Sequence, residues 1–128
     1  MAFTVYYDDD LKCIVGFFVG RLDLESSQEY IQEILRVLAE RNCDHFLSDL
    51  REAELALSTA QIYDLPETLD TLGLHHGVRR AILVRRRTPD MDFYETASIN
   101  RGYQVRVFDR QESAVEWLHS EVKTRQKD

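Results

Sequence analysis

The sequence predicts an α/β fold: a mixed sheet of about five strands with helices packed on it, in the order β-β-α-β-α-β-α-β-α. Three observations carry this. Short β-branched and aromatic runs alternate with segments whose apolar residues recur at helical spacing. Such alternation requires crossover connections, and hence parallel strands with helices laid on the sheet. The first two strands are separated only by Asp8-Asp9-Asp10, too short for a crossover, so the first must run antiparallel to the second.

Each element has its own signal. Phe3-Thr-Val-Tyr-Tyr7 is the first strand, and residues 11–20, rich in Ile14, Val15, Phe17, Phe18 and Val19, are the second. The first helix starts near Leu24. Asp23 is one N-cap candidate, and Ser26 with Glu29 is a capping-box pattern just inside. Ile31, Ile34, Leu35 and Leu38 form its apolar face, and Asn42 is the stop. Residues 45–50 are the third strand, followed by a charged loop. Ser58 opens the second helix, with Ile62, Leu65, Leu69 and Leu72 on one stripe. Pro66 lies in that stripe and is expected to kink or split the helix near Leu65. Residues 78–84 are the fourth strand, and the continuous apolar run from Ala81 to Val84 fits a strand covered on both faces. A polar loop leads to a third helix over about residues 91–101, closed by Gly102. Residues 103–108 are the fifth strand. The last helix spans about 110–122, with Ala114, Val115, Trp117, Leu118 and Val122 as its apolar positions.

Length and composition bound the rest. The chain has 128 residues, 44% apolar and 30% charged, which suits one globular domain over residues 1–122 and a polar tail at 123–128. The net charge of −7 is uneven: residues 1–70 hold fifteen acidic and five basic groups, residues 71–128 eight and eleven. An acidic chain disfavours nucleic acid and anionic membranes, while the basic surplus of the second half leaves room for one local anion site. No run is long enough to span a bilayer, and no basic segment followed by an apolar core opens the chain. Cys13 and Cys43 lack metal or redox spacing and read as small buried hydrophobes. Together these predict a cytoplasmic protein without membrane insertion.

Several local patterns then occur in a telling order. They are Gly20-Arg21-Leu22 after the hairpin, Asp49-Leu50-Arg51 on the third strand, and Tyr94 with Arg101-Gly102 on the third helix. Val105-Arg106-Val107-Phe108 and Trp117-Leu118 follow. In this order they resemble the STAS-like domains built on the SpoIIAA fold, a group that includes anti-sigma-factor antagonists and cytoplasmic domains of sulfate transporters. The closest resemblance is to a branch of small stand-alone bacterial proteins of unassigned role. It covers nearly the whole chain and implies an interaction or regulatory module. The antagonists carry an Asp-Ser-Ser-Gly element with a phosphorylated serine at the start of the second helix. Here the matching positions are Leu57-Ser58-Thr59-Ala60, so the hydroxyls remain while the acidic residue and the glycine do not.

The candidate sites each have two readings. Ser58 and Thr59 are phospho-acceptor candidates at a helix N-terminus, where free N–H groups and the dipole favour a phosphate. Ser58 with Gln61 is also a capping box, which by itself accounts for a serine there. Arg85, Arg86 and Arg87 follow a parallel strand at its carboxyl end, the side where open α/β sheets bind ligands. Their guanidinium forks suit carboxylate or phosphate, and a solvated loop is the competing account. Met91, Phe93, Tyr94 and Ile99 give the third helix more apolar surface than one buried face needs. Phe93 and Tyr94 are thus candidates for binding a partner, a second copy or an apolar ligand. Asp49, Arg51, Glu52 and Glu54 share the loop after the third strand, but no nucleophile, histidine or metal spacing converges on them. His75 and His76 are adjacent and should diverge.

These readings predict a non-enzymatic module with no cofactor and no metal, binding a protein partner and open to homodimerisation. The competing expectation is a small-molecule binder that holds an apolar or anionic ligand between the second and third helices, near Arg85, Arg86 and Arg87. A carboxylate hydrolase comes last.

Overall fold

The computed structural model describes residues 2–120. Val122 of the expected last helix and the tail at 123–128 lie outside the described residues. The elements are β1 (Phe3–Asp8), β2 (Cys13–Leu22), α1 (Leu24–Arg41), β3 (His45–Leu55) and α2 (Thr59–Leu72). They continue with β4 (Arg79–Leu83), α3 (Pro89–Asn100), β5 (Gln104–Phe108) and α4 (Gln111–His119). The sheet order is β1-β2-β3-β4-β5. β1 pairs antiparallel with β2, and every later pair is parallel.

That order decides where the helices go. The parallel strands advance one place at a time in one direction, so crossovers of one hand keep α1, α2 and α3 on a single face. α4 follows the last strand and covers the opposite face, against β3, β4 and β5. Two cores result. Ile14, Phe18, Phe46, Ile82, Val105 and Val107 face the three helices, and Cys13, Val15, Leu47, Ala81 and Leu83 face α4. Trp117 docks α4 against Phe108, with ring centroids 5.9 Å apart.

The helix ends follow from side-chain chemistry. Asp23 caps α1 and shares a capping box with Ser26, one turn before the Ser26–Glu29 pattern. Asn42 closes it in the left-handed region at φ 53°. Ser58 and Gln61 form the box that opens α2. Thr88 caps α3 and Pro89 takes the first turn, so the helix begins before Met91. Pro66 does not split α2: one helix runs from Thr59 to Leu72, and the proline is buried in its inward seam. Burial of the ring offsets the hydrogen bond its missing N–H forgoes.

The third strand corrects the sequence reading most. It continues to Leu55, so Arg51, Glu52, Ala53 and Glu54 are strand and not loop. The register slips between Phe17 and Val19, where β3 carries one extra residue. Such a bulge shifts the alternation of side chains. Phe46 and Leu50 face the three-helix core before it, Ala53 faces that core after it, and Gly20 and Leu22 pair with Ala53 and Leu55. Cys43 is a further correction: it is only partly buried, its thiol bonded to the carbonyl of His45 at 3.4 Å.

Candidate functional site

A chamber of about 70 Å³ lies between the sheet and the row of three helices. Gly16 and Ser48 put almost nothing above the middle of the sheet, and Tyr30 from α1 leans into that gap. A Cβ on Gly16 would stand 2.5 Å from the Tyr30 hydroxyl. Tyr30 and Ser48 satisfy each other through a 2.8 Å hydrogen bond. Burial drives the Tyr30 hydroxyl above its ordinary range, and the Ser48 bond opposes the shift. The rest of the wall is mostly apolar and includes Leu50, Leu55, Leu57, Ile62, Leu65 and Met91.

Arg80 also lines this chamber, although it is only 3% exposed. Strand alternation sends Arg79 and Arg80 to opposite faces. Arg79 turns toward α4, donates to the carbonyls of Trp117 (2.6 Å) and Ser120 (3.0 Å), and stacks over the Trp117 ring. Arg80 turns inward. Its Nη1 donates to the Tyr94 hydroxyl at 2.7 Å, and its guanidinium carbon lies 5.6 Å and 5.4 Å from the Tyr94 and Tyr103 ring centres. Nε and Nη2 have no hydrogen-bond partner among the described residues. The Asp70 carboxylate stops one group short: it accepts from Tyr103, His76 and Arg101. The sequence reading gives Arg80 no role. Its only signal was a second arginine in an otherwise apolar strand, where one of two neighbours had to face the core.

A second, open cleft of about 600 Å³ sits at the carboxyl ends of β3 and β4 and shares Leu50, Leu55 and Met91 with the chamber. Arg85 and Arg86 line it together with Arg51. Arg85 is partly committed, reaching Glu52 at 2.7 Å and the Arg51 carbonyl at 3.1 Å. Arg87 turns away, bonds Asp92 and Glu95, and donates to the Val107 carbonyl. Tyr94 and Phe93, neighbours in sequence, part company: Tyr94 is buried in the chamber wall and Phe93 is exposed. Phe93 stacks on Tyr63 of α2, centroids 6.1 Å apart, and Tyr63 is 64% exposed. Tyr63 lies off the Ile62–Leu65–Leu69 stripe, which is the sequence signal that marks it as outward-facing.

The remaining candidates are accounted for locally. Asp49 is buried, and both its oxygens are gripped by Arg51, Nε at 3.0 Å and Nη2 at 2.8 Å. Ser58 and Thr59 are both exposed, with the Ser58 hydroxyl accepting from the Gln61 amide at 3.1 Å. His76 packs edge-on against Tyr103, and His45 against His119 across the far end of the sheet. Among the described residues no three His, Cys, Asp or Glu side chains gather to hold a metal, and no helix is long and apolar enough to cross a membrane.

No family model and no curated protein matches the chain. Solved structures do. An uncharacterised DUF3478-family protein with a SpoIIAA-like fold, from Shewanella loihica, is 23% identical over 91% of this chain and 92% of its own, with a TM-score of 0.57. The unphosphorylated anti-sigma factor antagonist SpoIIAA is 13% identical over 94% of this chain and all of its own, at 0.56. The phosphorylated Bacillus cell fate determinant SpoIIAA is 13% identical over 92% of this chain and all of its own, at 0.54. The chain thus has the SpoIIAA-like, STAS-like fold that its order of elements and motifs predicts.

Proposed function

We propose that the chain is a non-enzymatic interaction module of regulatory type, working in the cytoplasm through the outer face of α2 and α3. The observation that carries this is the Tyr63–Phe93 stack, two large rings joined across the helix pair and left in solvent. Ile99 of the same α3 is also half exposed. Rigid aromatic side chains of this kind anchor protein interfaces. The anti-sigma factor antagonist of the same fold supports the reading by analogy of fold. The engaged state of Asp49 supports a non-catalytic role, since a carboxylate gripped at both oxygens is a poor general base. Ser58 and Thr59, exposed at the start of α2, are the hydroxyls through which a kinase would act on this face. A second copy of the chain is one partner of the right chemistry.

The test is affinity capture from the cells that produce the chain, with sedimentation of the purified protein beside it. Partners held by the wild type and lost with Tyr63→Ser and Phe93→Ser, but kept with Arg36→Ala on the exposed side of α1, support the reading. Partners indifferent to both ring substitutions overturn it.

A second reading is favoured by a separate observation, the chamber and cleft that meet at Leu50, Leu55 and Met91. Here the module binds a small molecule beneath α2 and α3. Arg85 and Arg86 stand at its mouth, and Tyr94 is in its wall.

A further inference from the structure

Among the described residues two buried side chains keep polar atoms without a hydrogen-bond partner, Ser98 through its hydroxyl and Arg80 through two nitrogens, and only Arg80 carries a charge. A guanidinium carries five N–H donors and a charge that does not titrate away. Taking it out of water is unfavourable unless an anion and hydrogen bonds replace the lost solvation. Here Nη1 has Tyr94 and two tyrosine rings flank the plane, but Nε and Nη2 are buried and idle among the described residues. Those two nitrogens share one edge of the guanidinium, the edge that takes a carboxylate with two parallel bonds. The same protein shows that edge filled elsewhere, where Nε and Nη2 of Arg51 hold the two oxygens of Asp49.

We propose that the chamber is a site for an amphipathic monocarboxylate whose head group is held by Nε and Nη2 of Arg80. This rests on the second, small-molecule reading above and supplies its ligand class. One buried cation calls for one negative charge, which a carboxylate brings and a phosphate dianion exceeds. The remaining wall is mostly leucine and isoleucine, with Phe46 and Met91 among them, which calls for an apolar body. Size sets the geometry. One water needs roughly 10–15 Å³ of such space, so about 70 Å³ takes the head group and the first few carbons. A longer tail leaves past Leu50, Leu55 and Met91 into the cleft. Ser48 and Tyr30 already satisfy each other and are not needed by the head group.

The probes are octanoate and 1-octanol, the same tail with and without the charge. The protein is unfolded in denaturant, stripped and refolded, then titrated by calorimetry. The wild type is expected to bind octanoate about tenfold or more tightly than octanol, and Arg80→Met to bind both equally. The ¹⁵N–Hε resonance of Arg80 is expected to shift with octanoate and not with octanol, a readout that needs no variant to fold. Equal affinity of the wild type for both probes, an unmoved Hε resonance, or an octanoate preference retained in Arg80→Met overturns the proposal. Octanol binding without the preference leaves the small-molecule reading standing, whereas binding of neither probe removes both.

Discussion

Replacing Arg80 by methionine should make the ligand-free protein more stable, although it deletes a fully enclosed side chain with three contacts. The penalty of the wild-type residue is a desolvated charge with two idle donors. An unsatisfied buried donor alone costs about 1–3 kcal/mol, and a desolvated ion several kcal/mol after relaxation. Against this stand one hydrogen bond to the Tyr94 hydroxyl, about 1.5–3 kcal/mol for a charged donor, and two ring contacts of about 0.5–2 kcal/mol each. Methionine refills the space of the aliphatic stem and is flexible enough to fit an irregular wall. The balance favours the variant by about 1–3 kcal/mol, in line with buried ionic groups replaced by apolar ones of similar volume. For a chain of this length that is a rise of roughly 3–10 °C in Tm. Equilibrium urea unfolding followed by Trp117, the single tryptophan, gives the measurement, with an unchanged m-value confirming that the comparison is of stability alone. A loss of 1 kcal/mol or more would refute the reasoning. It would mean that the guanidinium is fully satisfied in the free protein.

Four further outcomes are expected. Gly16→Ala should cost about 1–3 kcal/mol by overpacking, because its Cβ meets the Tyr30 hydroxyl at 2.5 Å; adding Tyr30→Phe should recover part of that loss in a double-mutant cycle. At pH 8 a thiol reagent should modify Cys43 in the native protein and leave Cys13 untouched, since Cys13 is fully enclosed and burial pushes its thiol up to about 11; mass spectrometry showing two adducts forming at equal rates would contradict this. The Tyr103 hydrogen bond, with His76 and Arg101 beside it, holds the Asp70 carboxyl below its ordinary range. A lowered carboxylate stabilises the fold above its unfolded value near about 3.9 and loses that effect as pH falls through its folded value, so the stability gap between wild type and Asp70→Asn should close on acidification in a pH series of urea curves. Ser58→Ala should cost about 1 kcal/mol, whereas Ser58→Asp, which keeps the cap and suits the helix dipole, should cost little; equal losses in thermal melts would count against the cap.

Much of this architecture was legible because local signals and tertiary packing agree. Asp23, Asn42, Ser58 and Gly102 mark helix ends through hydrogen bonds and backbone preferences that act within a few residues. The second half of β3 was not legible. Arg51, Glu52 and Glu54 look like loop, and only pairing with the end of β2 keeps them extended, across a bulge that resets the alternation. The site divided in the same way. Arg85 and Arg86 could be placed at the cleft because the carboxyl end of a parallel strand is a position in topology. Arg80 could not, because its role depends on what its neighbours lack: a carboxylate within reach, which no pattern in β4 displays. The Tyr63–Phe93 stack was half visible, since its two members come from helices whose apposition only the sheet order sets.

Phe93 and Tyr94 also show why the two functional readings need not compete. They are successive residues of one helix, yet one ring lies in solvent against Tyr63 and the other closes the chamber on Arg80. α3 is thus the outer surface and the inner wall at once. Close packing limits how far one can move without the other. A carboxylate that entered would contact the Arg80 guanidinium to which Tyr94 is bonded, on the same turn that presents Phe93. The two faces can still be separated by experiment. Phe93→Ser removes the outer ring without touching any group at the Arg80 edge, and Arg80→Met alters the chamber without touching solvent. If partner capture depends on Phe93 alone and octanoate preference on Arg80 alone, the module has two independent functions on one helix. If Arg80→Met also changes partner capture, occupancy of the chamber is coupled to the outer face by a free energy that must act equally in both directions.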